Sequence, residues 1–432
     1  MKQGAVFQTI LAIIALLVGY PLLGNVFILL MTPFVIYMVI KKDAAFLPAL
    51  MIHCASDTSI MYAVFLGMFI MCIINASSLC RNAKTRFLFV ILLALFPLYL
   101  ILTIQKGVLD LFTWQGSLGY TKFYLSFWAF LYCFLLSDSF NRNTVKLLLV
   151  SLLIVWLLTR IPGLRHYYRL VSMIVFLGVV YGFYFIINDK KIISGLCMCA
   201  ISLVALFAIG LTFTELLSVI YALGIFFIWN TSSKKVAQQS VSWMPYIIIA
   251  VLMVYGVSNY NVVNVSFSVG VDFSSWENTW NSAQYKFFGD RAIFWDAAWN
   301  QLMELKPMLP LHDIPNISTY SLGGNLIDDI EFGAHNTPLE LLRIFGFIMG
   351  GLLIVCYIHC TVISSRIFAL RTIDAYMIPL FAVAFANVII VFFGGTAAML
   401  PNYALFTFGL MGIAYGISSE QIIQETNHHE FR

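Results

Sequence analysis

Apolar residues fill the chain in long runs, separated by short charged or turn segments. The runs are 6–20, 22–40, 44–55, 59–77, 87–104, 121–137, 145–159, 170–187, 192–210, 214–229, 244–258, 340–364, 375–393 and 402–417. Each predicts a helix, and a run of about 20 apolar residues is long enough to cross a bilayer. Segment 44–55 is short for a span and fits a re-entrant element. The first run follows Lys2 and imitates a secretion signal, but it lacks a small-x-small cleavage site and another run begins at Pro21. It reads as the first membrane helix. No internal repeat is visible.

Composition agrees with the pattern. The 432 residues are 61% hydrophobic and only 10% charged, where a soluble domain carries about 25% charged residues. The expectation is an all-α, polytopic membrane protein with about fourteen transmembrane helices. Its predicted parts are residues 1–258, a membrane region; 259–339, one long polar loop; and 340–432, the last helices and a tail. The eight cysteines lie in or beside apolar runs, in no metal or disulfide spacing.

Lysine and arginine set the orientation. With the N-terminus in the cytoplasm, most of the 24 basic residues fall inside, among them Lys41, Lys42, Arg81, Lys84, Arg86, Arg142, Lys146, Lys190, Lys191, Lys234, Lys235, Arg366 and Arg371. Omitting run 44–55 would invert everything after it and move several basic clusters outside. Among the outer residues, Arg160, Arg165 and Arg169 crowd one short loop, TRIPGLRHYYR. Two readings stand there: headgroup contact by interfacial arginines, or an anion site. Glu215 sits in TFTELL between two apolar runs, where an acid is a functional candidate.

The loop 259–339 is far longer than a plain connection. It holds Trp276, Trp280, Trp295 and Trp299, in pairs four apart. Each pair suits one face of an amphipathic helix lying on the membrane, or a platform on which sugar rings stack. In GDRAIFWDAAWNQLMELKP, residues 289–307, Asp290 is a candidate cap and Arg291 falls in the first turn. The stretch EFGAHNTPLELLRIFGFIMGG, residues 331–351, places His335 and Asn336 just before a helix. Thr337 reads as its cap, with Pro338 in the first turn and Glu340 completing a capping box. Asn336, Glu340 and Arg343 then share a face, and the helix start attracts anions. Gly346 and Gly350 form a G-x-x-x-G that permits close helix packing. Asp328, Asp329 and Glu331 read as solvated loop charge. Nothing suggests a nucleotide loop, a nucleic-acid surface, a metal site or a cofactor.

GDRAIFW, then a polar loop, then HNTPLELLRIFGFIMGG resembles the bacterial O-antigen polymerase and ligase superfamily across residues 285–352. The resemblance implies a GT-C-like glycosyltransferase of the inner membrane, with its long loop in the periplasm. The implied substrate is an oligosaccharide on undecaprenyl pyrophosphate, and the implied partners are membrane lipids and a chain-length regulator. By that resemblance, arginines hold the pyrophosphate and the motif histidine acts on the acceptor. Carried over, Arg291, His335 and Asn336 are the catalytic candidates. Arg160, Arg165, Arg169 and Arg343 are the pyrophosphate candidates. Glu215 and the four tryptophans are candidates for sugar or acceptor binding. One departure stands out: where the family often has an arginine in a T-x-S-R-like stretch, this chain reads TFTE. A repeat-unit polymerase is the leading expectation, a ligase the alternative. A flippase or transporter is a third, although paired half repeats are absent.

Overall fold

The computed structural model describes residues 3–55, 60–106, 118–158, 169–209, 213–259, 275–278, 290–309, 317–320, 326–330, 336–370, 373–393 and 405–430. The helices are α1 (Gln3–Ile14), α2 (Tyr20–Lys41), α3 (Leu47–Ala55), α4 (Ile60–Ile74), α5 (Ala76–Arg81), α6 (Ala83–Lys106), α7 (Leu118–Phe134), α8 (Arg142–Leu158), α9 (Arg169–Ile187), α10 (Ile192–Ile209), α11 (Phe213–Thr231), α12 (Lys234–Asn259), α13 (Asp290–Leu305), α14 (Thr337–Ser364), α15 (Ile378–Phe393) and α16 (Leu410–Glu430). The described parts of the predicted apolar runs are almost wholly helical, although run 59–77 is split between α4 and α5. One antiparallel hairpin departs from the helical pattern. It joins β1 (Ile317–Tyr320) to β2 (Leu326–Ile330), pairing Ile317 with Ile330 and shifting register between Thr319 and Tyr320.

Three described segments are long and apolar enough to cross a membrane: Gln3–Lys41, Ala83–Ile101 and Thr337–Ala369. Shorter apolar helices accompany them, and large side chains such as Leu22, Leu29, Ile193 and Val204 face outward. An outer surface this apolar belongs against lipid, so the chain is membrane-associated.

Two of the three long segments are not straight. A straight helix would set Gly4 and Tyr37 about 50 Å apart, yet both line one groove. The chain doubles back at Gly24, with φ 51° and ψ −130°, a conformation that only glycine adopts readily. Phe27 packs against Gly19 as a result. The predicted break at Pro21 thus lies three residues further on, because proline is tolerated in a first helical turn.

From Phe123 to Cys133 helix α7 is buried except at Leu125, with Phe127, Trp128, Phe130 and Tyr132 fully enclosed. It packs against α4, α6, α14 and α16 and forms the centre of the bundle. Buried phenols give their protons to backbone carbonyls of other helices: Tyr124 to Leu92 at 2.6 Å, Tyr132 to Val39 at 2.8 Å, Tyr181 to Tyr376 at 2.9 Å and Tyr357 to Val388 at 3.0 Å. A hydroxyl in apolar surroundings must find an acceptor, and helix carbonyls keep a spare lone pair. All eight cysteines are free thiols.

The basic turns gather at one end of the bundle. Lys42 reaches Asn75, Ala44 bonds to Ser139, Tyr415 to Asn82, His359 to the Lys84 carbonyl, and Asn188 to Asn230. Arg142 lies over the Tyr376 ring at 4.5 Å. The chain from Lys42 to Asn75 therefore leaves this end and returns to it. Helix α3 is only about 14 Å long, which suits the re-entrant role expected of run 44–55.

At the same end, the Glu420 carboxyl hydrogen-bonds Asp138. Burial first, then that bond and the neighbouring negative charge, raise its pKa from 4.5 to about 7. The folded state thus holds this proton more tightly than the unfolded state does. Its stabilisation is complete below pH 4.5 and is lost as pH rises through 7. Thermal unfolding across that window should show a fall in stability with pH that Glu420→Gln flattens; an unchanged profile would refute the coupling.

Candidate active site at the end opposite the basic turns

Helix directions settle which residues share the other end. Helices α9 and α11 run toward the basic turns, so Arg169 and Glu215 start them at the opposite end. Beyond Gly346, helix α14 also runs toward the basic end, where His359 meets Lys84, so Gly346 lies at the opposite end as well.

The start of α14 differs from the expected capping box. Asn336 is the cap: its side-chain oxygen accepts from the Leu339 amide at 3.2 Å, and Pro338 stands in the first turn. The cap lies one residue earlier than Thr337, which leaves Glu340 too deep to reach back to it. Glu340 instead accepts from Arg343, at 2.9 Å from Nη2 and 3.2 Å from Nε. Arg343 Nη1 gives its proton to Gln301 Oε1 on α13, at 3.2 Å. Glu340 is 0% exposed and Arg343 7%. A guanidinium held this way has its charge compensated locally.

Helix α14 breaks at Gly346, with φ 73° and ψ 172°. Its first stretch, 337–345, folds back so that Leu341 meets Gly350, where an added Cβ would lie 2.3 Å from the Leu341 carbonyl oxygen. The G-x-x-x-G glycines thus permit close packing within this chain segment. Beyond the break, the Phe347 and Ile348 amides donate to the carbonyls of Pro307 and Met308, at 2.8 and 3.2 Å. The first free donors of the membrane helix are therefore satisfied by the loop.

Helix α13 has a buried face, but the two tryptophans four apart do not share one environment on it, and the buried Trp295 offers no face for a sugar ring. Trp295, Ala298 and Leu302 are buried, while Trp299 is 48% exposed. It ends at Lys306, which takes a left-handed conformation before Pro307. Contacts at Gln301–Arg343 and again at Pro307–Phe347 show α13 and stretch 337–345 running side by side in one direction. Arg291 lies about 15 Å of helix before Gln301, and Asn336 about 10 Å before Arg343. Arg291 and the cap Asn336 both precede these contacts, toward the same end of the pair.

Trp276 is 81% exposed at the start of a short helical stretch. His335, Arg160, Arg165 and Trp280 lie outside the described residues, as does Glu331. Arg169, Glu215 and Arg291 are placed by backbone alone, as are Asp328 and Asp329 on β2. Gln301 escaped the sequence reading. Its signal was its place between Ala298 and Leu302, on the buried face of α13. Among the described residues no group of three or more His, Cys, Asp or Glu is arranged for a metal. Comparison with protein-family models, curated proteins and solved structures finds no match.

Proposed function

We propose that the chain is a membrane glycosyltransferase acting on an oligosaccharide carried by a polyprenyl pyrophosphate, with its site at the bundle end opposite the basic turns. The observation that supports it best is the parallel pairing of α13 with stretch 337–345, which brings Arg291 and Asn336 to one end. Arg169 and Glu215 begin their helices at the bundle end where Gly346 lies. In this reading some fourteen segments cross the inner membrane of a bacterium, and the basic turns face the cytoplasm.

The chemistry follows from the residue types. A leaving pyrophosphate bears negative charge, and guanidinium groups match its oxygens in planar pairs. Arg160, Arg165, Arg169 and Arg291 are the arginines assigned to it. Arg343 is engaged by Glu340 and Gln301, so its role here is to position stretch 337–345. His335 takes the acceptor proton, since imidazole titrates near neutral pH. Attack opposite the leaving group inverts the anomeric centre. Trp276 and Trp299 offer exposed indole faces for sugar rings.

The acceptor in this proposal is a second lipid-linked repeat unit, which makes the protein a polymerase; the ligase alternative transfers to lipid A-core. Purified protein incubated with a defined lipid-pyrophosphate glycan, with and without lipid A-core, separates them. Longer lipid-linked chains without core support the polymerase, and product only with core supports the ligase. No glycosidic bond in either arm sinks the proposal. His335→Ala should lower transfer by about 10²–10⁴-fold while membrane insertion is retained, and full activity in that variant would reject the base assignment.

A further inference from the structure

The reversal at Gly24 leaves a groove of about 420 Å³ between α1 and α2, lined by Gly4, Phe7, Gln8, Pro33, Phe34, Tyr37 and Phe46. Its outer walls are apolar and face outward, with Phe7, Phe34 and Tyr37 all exposed. Besides the Tyr37 phenol, the Gln8 amide breaks that lining. Gln8 is 7% exposed, and its amide oxygen is buried with no donor among the described residues. A buried acceptor without a donor is costly and calls for a ligand that brings one. At the rim, the Lys41 ammonium stands 5.3 Å from the centre of the Tyr37 ring.

Three demands meet here: an acyl chain for the aromatic walls, a hydroxyl or amine for Gln8, and an anion for Lys41. We propose that the α1–α2 groove is a binding site for one anionic phospholipid with a hydroxyl-bearing headgroup, of the phosphatidylglycerol type. The phosphate lies toward Lys41, a headgroup hydroxyl donates to Gln8 Oε1, and one chain lies along Phe7, Phe34 and Phe46. The groove opens at the end where the basic turns gather, the side on which juxtamembrane lysines attract anionic lipid. A choline headgroup offers no donor to Gln8. An ethanolamine headgroup offers N–H but no net charge, so it ranks between the two.

The test is competition. Purified delipidated protein is exposed to equal amounts of phosphatidylglycerol, phosphatidylethanolamine and phosphatidylcholine with matched chains, and retained lipid is weighed by native mass spectrometry. One phosphatidylglycerol should be retained several-fold more than phosphatidylcholine. Gln8→Leu and Lys41→Gln should each bring that ratio toward one, Phe34→Trp should reduce retention of all three lipids, and Lys235→Gln, on α12, should change nothing. Should Gln8→Leu fail to fold, Lys41→Gln and Phe34→Trp, at exposed positions, decide the outcome. Equal retention of the glycerol and choline lipids by the unmodified protein overturns the assignment. So does a preference that survives Gln8→Leu or, if that variant does not fold, one that survives Lys41→Gln, or retention that Phe34→Trp leaves unchanged.

Discussion

Gly346→Ala will be among the most damaging single substitutions in the chain. At φ 73° and ψ 172° the residue occupies a region reserved for glycine, and forcing a side chain there costs about 1–3 kcal/mol. The new Cβ would also lie 2.7–2.8 Å from backbone atoms of Leu309. Backbone cannot swing aside as a flexible side chain can, so overpacking adds about 1–3 kcal/mol more. Straightening the helix relieves the strain only by tearing Phe347 and Ile348 from Pro307 and Met308. Thermal unfolding of the purified variant measures the sum. Gly351→Ala is the control, since nothing stands within 4 Å of its Cβ position. It should leave stability unchanged or raise it by up to about 1 kcal/mol. Equal stability of the two variants would show that Gly346 is not a forced turn.

Glu340→Ala should destabilise the protein by about 3–5 kcal/mol, because it strands a buried guanidinium without its carboxylate. The second variant needed is the double replacement Glu340→Leu with Arg343→Met. With both charges gone, neither buried ionised group is left without its opposite. Most of the lost stability should return in the double variant, read as unfolding temperature. Losses that simply add would mean that the two residues act independently and that the ion pair is incidental.

Much of the helix layout was legible because apolar runs in a membrane chain are long and their separators are charged. Run 44–55 illustrates the gain, since retaining it returns the chain to the basic end at Asn75. The polar start of α14 was harder to read. Thr337, Pro338 and Glu340 have the composition of a capping box, yet Asn336 holds the cap, and a shift of one residue releases Glu340 to Arg343. The break at Gly346 leaves no local mark. Apolar residues continue on both sides of it, and what imposes the turn is the Leu309 backbone, distant in sequence. Gln301 went unread for the same reason: its partner lies on another helix. The site's histidine and most of its arginines were read from sequence motifs and loop position. The helix pairing adds only the shared end of Arg291 and Asn336.

The two amide bonds that tie Phe347 and Ile348 to Pro307 and Met308 also constrain how the protein can move. Away from water, a broken N–H···O contact has nothing to replace it. Helix α13 and the apolar helix beyond Gly346 are thus riveted at that seam. A displacement of α13 would carry along that helix, whose far end touches the turn at Lys84.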